Sequence, residues 1–456
     1  MTGSKEKRPE IVPCTVEHSL PDGSLVLLDA VETITPASSL LEMGGVKTLV
    51  DCGAPKEWTR WQLPEKAKQA EALLITHAHH DHIGGLSHLL ATDFNGPIFA
   101  TSATFEILQG TMKDSMRLNR KTDQELWDFE VKLRKLQRPV KFNETFKPIE
   151  GKDLQVTFYE TGHLPGAASI ELISEKSRVI LSGDLGRPNS PLFNRYNTNW
   201  NSDRPVDLVL MECTHGDGDH PEQPADTEER LAELLKKTVE EGGHTFVPSF
   251  AIGRTQNFLY LLNKIVTEEK LKAIPVILDT PLGLKQHDDH TPLKRLYEKE
   301  SITKMSRGEE PIDFDALFGL HLRKKSQEFS NITMPMLFIA GSPMYAGAQM
   351  DSLLKMLLPK PETTVIFPGE QGKGSPARVI QDAGKNKKPG ESELIDLDGD
   401  LVTLRANVYT IPGIYGHPDR KELADWLKAI PNVKKVALHH AGAKAQAAFA
   451  EWYSGN

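Results

Sequence analysis

Short apolar runs separated by Gly, Asp and Ser turns fill the first half of the chain. Ser24–Leu28, Thr48–Asp51, Ala72–Thr76, Val156–Tyr159 and Val179–Ser182 each have the length and aliphatic content of a strand. Thr122–Leu136 alternates charged and apolar residues at helical spacing and predicts an amphipathic helix. After a further strand at Val206–Met211 the rhythm becomes parallel α/β, with strands at Thr245–Pro248, Pro275–Asp279, Met336–Ala340 and Thr364–Phe367 separated by helices. One helix, capped near Asp226 or Thr227, carries an apolar stripe of Leu231, Leu234, Leu235 and Val239; another carries Phe258, Leu261, Leu262 and Ile265. This second sheet is expected to span about 214–405, bounded by the Gly- and Lys-rich stretch Gly384–Glu391. Asn407–Ile411, a helix Arg420–Ile430 and Val433–Leu438 then return to β-α-β spacing.

At 456 residues, the chain has room for two or three domains, or for one domain with a large insertion. Its 39% hydrophobic and 26% charged content is that of a globular protein and excludes collagenous, disordered and fibrous classes. No apolar run approaches the roughly 20 residues of a spanning helix, and Met1–Glu10 is charged with no apolar core, so no membrane partner and a cytoplasmic location are expected. Cys14, Cys52 and Cys213 are scattered and form no C-x-x-C pair, which argues against both a disulfide frame and a thiolate zinc site. The net charge of -9 argues against a protein that coats nucleic acid, though not against a locally cationic cleft. Lys132, Arg134, Lys135, Arg138 and Lys141 are read as a solvated face.

The chemistry concentrates in Thr76-His77-Ala78-His79-His80-Asp81-His82-Ile83-Gly84-Gly85, directly after an apolar strand. A tight loop at a strand's C-terminal end fans out imidazoles and a carboxylate, a donor set suited to one or two zinc-like cations. With 16 His in the chain, His at three set positions arises by chance in roughly 0.02 windows. Three further candidates each follow an apolar run: His163 in Thr161-Gly162-His163, Asp184 in Ser182-Gly183-Asp184, and His440 after Val436-Ala437-Leu438. Taken singly, each reads more readily as a turn residue than as a ligand.

Together, His77, His79, Asp81, His82, His163, Asp184 and a terminal His resemble the metallo-β-lactamase fold, and Asp51 before Cys52-Gly53 resembles that fold's first motif, a carboxylate that orients the metal loop. The resemblance implies an α/β αββα sandwich with a dinuclear site on its rim. The middle of the chain resembles the β-CASP nucleases, in which a second α/β domain is inserted late in the sandwich. The motifs are Glu212-Cys213-Thr214-His215-Gly216-Asp217, Val247-Pro248-Ser249-Phe250-Ala251-Ile252-Gly253-Arg254, Ile339-Ala340-Gly341-Ser342-Pro343, Gly369-Glu370-Gln371-Gly372-Lys373-Gly374, Gly416-His417-Pro418-Asp419 and Leu438-His439-His440. The expected division is 1–213 and 406–456 for the metallo-β-lactamase domain and 214–405 for the β-CASP domain, in a compact form without a KH module or C-terminal dimerisation domain. The sequence departs from the family pattern at His215 and Gly218, where Tyr and Arg are usual, and at Pro418 and Ala441.

With the family as guide, His77, His79 and His163 are expected on one metal, Asp81, His82 and His440 on the other, and Asp184 on both; the register after Leu438 selects His440 over His439. The resemblance makes His417 the general acid and Glu212 its orienting partner. It implies a hydroxide activated by two Zn2+, or Mn2+, attacking a phosphodiester and leaving 5′-phosphate and 3′-hydroxyl ends. Ser249, Arg254, Ser342, Gly374 and Arg378 offer phosphate contacts, or else serve only turns and internal ion pairs. His80, His215 and His220 are read as neighbours of the site or surface residues. Family members acting on RNA carry a His at the last motif, so His440 points to single-stranded RNA as partner, with a homodimer left open. The rivals are a DNA nuclease, a hydrolase of a small ester that has no use for the insertion, and a scaffold with degraded ligands, against which every ligand position is filled.

Overall fold

A computed structural model describes the chain outside residues 1–7, 14, 29–36, 56–60, 191, 201–203, 221–225, 250–252, 272–273, 280–316, 320–333, 341–349, 370, 372–374, 389, 398, 412–413 and 456. It divides into two compact units, one of Met1–Asp219 with His417–Asn456 and one of His220–Gly416.

The first unit holds two seven-stranded sheets. One runs in the order Glu10–Pro13, Lys435–His439, Leu208–Glu212, Arg178–Leu181, Ala168–Ile173, Gln155–Glu160, Thr145–Phe146, and the other Glu17–Leu20, Gly23–Leu27, Ser39–Met43, Val46–Val50, Ala72–Leu74, Ile98–Thr101, Gln137–Val140. Alternation along the strands explains the layering. Leu208, Leu210 and Ala437 join Leu41, Val50, Leu74, Val156 and Ile170 in the core between the sheets. Val209, Met211, Val436 and Leu438 point the other way, onto Leu423, Trp426 and Phe449 of the helices Arg420–Lys428 and Ala443–Gly455. Ser102–Leu118 packs on the second sheet, and Asp123–Leu136, opened by a Thr122–Glu125 capping box, packs against that helix and against Leu86–Leu90. The result is the expected αββα sandwich. Lys132 donates to Leu90 and Thr92 carbonyls, so one member of the basic run ties this helix to its neighbour.

In the second unit six parallel strands run in the order Leu317–Gly319, Val276–Asp279, Leu337–Ala340, Thr245–Pro248, Thr364–Phe367, Asn407–Thr410. Phe246, Phe338 and Phe367 pack with Leu353, Leu357 and Ile380 of its helices and with a hairpin, Glu393–Leu397 and Asp400–Leu404. Two expectations are corrected. Asn407–Ile411 does not close the first domain: its strand pairs with Thr364–Phe367 and completes this sheet. Nor is Gly384–Glu391 a boundary. Gly384 lies inside the helix Pro376–Asn386, where an added Cβ would fall 2.3 Å from the Val408 side chain, so the glycine lets the helix approach the last strand.

A buried ion pair joins adjacent strands of the first sheet: Arg178 Nε donates to Glu171 Oε1 at 2.8 Å, and Tyr159 donates its hydroxyl to Glu171 Oε2 at 2.8 Å. Arg178 is 0% and Glu171 1% exposed, so truncating the acid strands a guanidinium away from water. Glu171→Ala is expected to destabilise by about 3–5 kcal/mol, read as a lowered urea midpoint. An unchanged midpoint contradicts this.

Candidate metal centre

The predicted ligands and the carboxylates expected to orient them stand where strands end. Asp184 follows Arg178–Leu181, Glu212 ends Leu208–Glu212, and His440 follows Lys435–His439, three neighbouring parallel strands whose carboxyl ends lie side by side. Asp51 and the His77–His82 loop follow Val46–Val50 and Ala72–Leu74, which are parallel neighbours in the other sheet. His163 sits in the turn between Gln155–Glu160 and Ala168–Ile173. That turn needs Gly162: φ is +68°, and a Cβ would lie 1.8 Å from the Asn194 carbonyl oxygen. Asp51 and His440 hold φ of 58° and 53° without that freedom, so two site residues carry backbone strain.

The ligand atoms of His77, His79, His163 and Asp184 lie within 4.8 Å of one another, as do those of Asp81, His82 and His440. Asp184 faces both groups. Its Oδ2 is 3.4 Å from His77 Nε2 and 3.7 Å from His163 Nε2, while its Oδ1 is 3.3 Å from His82 Nε2 and 3.4 Å from His440 Nδ1. His79 Nδ1 stands 3.1 Å from both His77 Nε2 and His163 Nε2. Three imidazole nitrogens converging on one point leave lone pairs with too few protons between them, which a cation resolves. His82 Nε2 and Asp184 Oδ1 are buried 3.3 Å apart, yet neither makes a well-directed hydrogen bond. Buried polar atoms without partners are rare in native proteins. The residues therefore fit one or two divalent ions of the zinc type.

Burial first, and then His82, drive His77 well below the ordinary imidazole range, and burial pulls His79 down to about 4, against the opposing pull of Asp81 and Asp184. Both rings are neutral with lone pairs to offer. His82 differs: burial opposes its charge, but Asp184 and Asp51 outweigh burial and raise it well above that range. Asp184 lies well below the usual carboxylate range, where His440, His82 and His77 overcome the burial cost. Asp51 accepts from His82 Nδ1 at 2.7 Å and turns Nε2 toward Asp184. Thr76, to which the sequence reading gave no role, donates its N–H and its hydroxyl to Asp51, both at 2.8 Å, and its oxygen faces His77 Nδ1 at 3.1 Å. Its position directly before His77 was the available signal.

Glu212 is fully buried. Its Oε1 accepts from Leu185 N at 2.7 Å, and His417 Nδ1 lies 3.0 and 3.2 Å from the two oxygens. His417 stacks obliquely near His163, ring centroids 4.6 Å apart. Asp184, Glu212 and His417 form a third donor group within 4.8 Å, but Glu212 is already committed to hydrogen bonds. His215 lies 6.1 Å from the His417 ring. In the second unit His220 stacks on Tyr415, Arg378 binds Asp382 at 2.8 Å and the Gln371 carbonyl at 3.3 Å, and burial pulls the Arg254 guanidinium down to about 10. Ser249 is 1% exposed and its hydroxyl finds no partner. Ser342 and Gly374 lie outside the described residues.

Residues 255–380 match the description Beta-Casp domain, 401–455 the description Zn-dependent metallo-hydrolase RNA specificity domain, and 32–222 the description Anti-Pycsar protein Apyc1. The chain is 31% identical to Ribonuclease TTHA0252 of Thermus thermophilus over 90% of this chain and 92% of that protein. It is 26% identical to Transcription termination factor FttA of Methanothermobacter thermautotrophicus, over 88% of this chain but 64% of the relative. An RNase J-like protein of Methanocaldococcus jannaschii is 24% identical over 86% of each chain. A crystal structure of a protein of unknown function from Enterococcus faecalis shares the fold, with a TM-score of 0.50 at 15% identity, covering 93% of this chain and 95% of that one.

Because His82 is held protonated in the metal-free protein, it must release that proton to offer Nε2. Zinc affinity is expected to rise with pH, with proton release visible as a dependence of titration heat on the buffer's ionisation enthalpy. Asp51→Asn, which removes one of the charges raising His82, is expected to reduce the release. Proton-neutral binding would contradict it.

Proposed function

We propose, from the premise that the chain belongs to the β-CASP family of metallo-β-lactamase-fold proteins, that it is a metal-dependent ribonuclease cutting single-stranded RNA to 5′-phosphate and 3′-hydroxyl ends. One observation carries the hydrolytic part: a single buried carboxylate, Asp184, presents one oxygen to each of two donor groups. The RNA part rests on the matched RNA specificity domain and on the ribonuclease relative. No helix among the described residues is long and apolar enough to cross a membrane, and the reading places the enzyme in the cytoplasm.

In this reading His77, His79 and His163 hold one ion, Asp81, His82 and His440 the other, and Asp184 both; the ions are Zn2+, with Mn2+ as the alternative. Two such ions supply an activated water and neutralise charge on the phosphodiester. His417 supplies the proton for the departing 3′-oxygen. Glu212 takes its Nδ1 side, which fixes the ring and directs proton exchange through Nε2. A fully buried Glu212, itself anchored by Leu185 N–H, keeps that orientation without solvent competition.

The second unit supports a phosphate-gripping role. The chain leaves Thr245–Pro248 toward one side of the sheet and Thr364–Phe367 toward the other. The carboxyl ends of these neighbouring strands therefore flank a reversal of winding, where open parallel sheets hold ligands. Ser249, with its buried unpartnered hydroxyl, follows the first of them and precedes the helix Arg254–Thr267. Ser249 and Arg254 are assigned to substrate here, together with Ser342 and Gly374 by family position. Arg378, held by Asp382, contributes through the loop it braces.

The test is a 5′-labelled single-stranded RNA and its DNA counterpart incubated with zinc- or manganese-loaded protein. RNA is expected to be cut to products with 5′-phosphates. Asp81→Ala should be inactive and His417→Ala slower by about a hundred- to ten-thousand-fold. Intact RNA with the loaded protein, or preferred cutting of DNA, would overturn the assignment.

A further inference from the structure

The run Asp184-Leu185-Gly186-Arg187 touches a different part of the site with each residue. Asp184 faces the imidazoles, Leu185 N–H donates to Glu212 Oε1 at 2.7 Å, and Gly186 N–H donates to the Thr161 carbonyl at 2.9 Å, beside the His163 turn. Arg187 has no role in the reading so far. Its Nε and Nη2 donate to the Glu422 carboxylate at 3.1 and 2.9 Å, and the two side chains are only 15% and 14% exposed. A forked pair so shielded from water keeps its geometry.

Glu422 belongs to the first turn of the helix Arg420–Lys428, and His417 stands just before that turn. Asp419 caps the helix: its carboxylate accepts from the Lys421 and Glu422 N–H groups at 2.9 Å each, and Glu422 Oε2 accepts from Asp419 N–H at 3.0 Å. These bonds stiffen the segment internally, but being local they do not place it against the metal loop. Glu212 holds the His417 ring at Nδ1, and a backbone bridge to His215 steadies Asp419. Two ties reach Glu422 from the chain that follows Asp184: the Arg187 fork on its carboxylate and the Tyr196 hydroxyl, which donates to its carbonyl at 3.0 Å. Of these two, Arg187 lies in the loop that presents Asp184 itself.

We infer that Arg187 is a positioning residue for His417: its fork on Glu422 sets the start of the helix, and with it the His417 backbone, in register with the Asp184 loop. This rests on the proposed role of His417 as proton donor, and it adds the residue that keeps the donor and the bridging carboxylate at a fixed separation. Misplacing a reacting group by about 1 Å costs about a hundredfold in rate.

Arg187→Met removes the fork and keeps an unbranched stem; Arg187→Lys keeps the charge but replaces the fork with a point donor, and it carries the test if Arg187→Met does not fold. With metal-loaded protein in single-turnover cleavage of labelled RNA, Arg187→Met is expected to be about a hundredfold slower, with RNA affinity and bound metal as in the parent, and Arg187→Lys to lose less. Because Arg187 acts through His417, the same substitution in a His417→Ala background should cost little more. An equal fold-loss in both backgrounds, or a loss of bound metal, would overturn the inference by placing the effect elsewhere than on His417. Hydrogen exchange over residues 417–422 of the metal-free protein needs neither ion nor RNA. The Asp419 amide, bonded to Glu422 in the parent, is expected to lose protection in Arg187→Met. Unchanged protection would overturn the inference. If the parent cuts no RNA, the nuclease reading has failed and the link to proton donation falls with it, while exchange alone decides whether Arg187 sets the register.

Discussion

The site is organised by the burial of one carboxylate. Asp184 is 2% exposed and is surrounded by the imidazoles of His77, His82, His163 and His440, two on each of its oxygens. Alone, a buried anion there would be costly; His82 offsets part of that cost by holding a proton, whereas the His77 ring, driven neutral by burial, offers a lone pair. The arrangement makes electrostatic sense when cations sit between the rings and the carboxylate. Much of the first unit serves that point: three parallel strands end at one level to deliver Asp184, Glu212 and His440, and the other sheet delivers Asp51 and the histidine loop.

Rigidity around the carboxylate comes from hydrogen bonds outside the ligand set. Asp51 and Thr76 lock the histidine loop, Leu185 N–H locks Glu212, and Glu212 locks His417. Each uses a backbone amide or a short side chain at a strand end, where the geometry is already set by the sheet. The strained backbone at Asp51 and His440 fits this pattern, since each directly follows a strand whose ladder anchors the chain on that side.

Much of this was legible in the sequence because ligand chemistry is local to motifs. His77, His79, Asp81 and His82 sit within one loop, the αββα sandwich is what the motifs imply by resemblance, and the apolar runs mark individual strands closely, as at Thr245–Pro248 and Thr364–Phe367 of the second unit. Other features were hidden. Ser39–Met43 is built from Leu, Glu and Met, which favour helix, and Ile98–Thr101 directly follows Gly96-Pro97, while Ser102–Leu118 mixes Ser, Thr and Gly into a helix whose periodicity appears only once its buried face is seen. The boundary after residue 405 misled because Asn407–Thr410 and Lys435–His439 are alike as strands; only pairing sends the first to the second unit and the other to the first. Gly384 read as a linker because spacing cannot reveal that Val408 crowds its Cα. Thr76 escaped for the same reason: a hydroxyl's partners are a matter of three-dimensional contact.

The central claim, that Asp184 bridges two ions, is tested most directly by anomalous scattering from crystals of the zinc-loaded protein. Two peaks about 3.5–4 Å apart, one against Asp184 Oδ2 with His77, His79 and His163 and one against Oδ1 with Asp81, His82 and His440, are predicted. A single peak at full occupancy under saturating zinc, or two peaks that leave Asp184 uncoordinated, would contradict it.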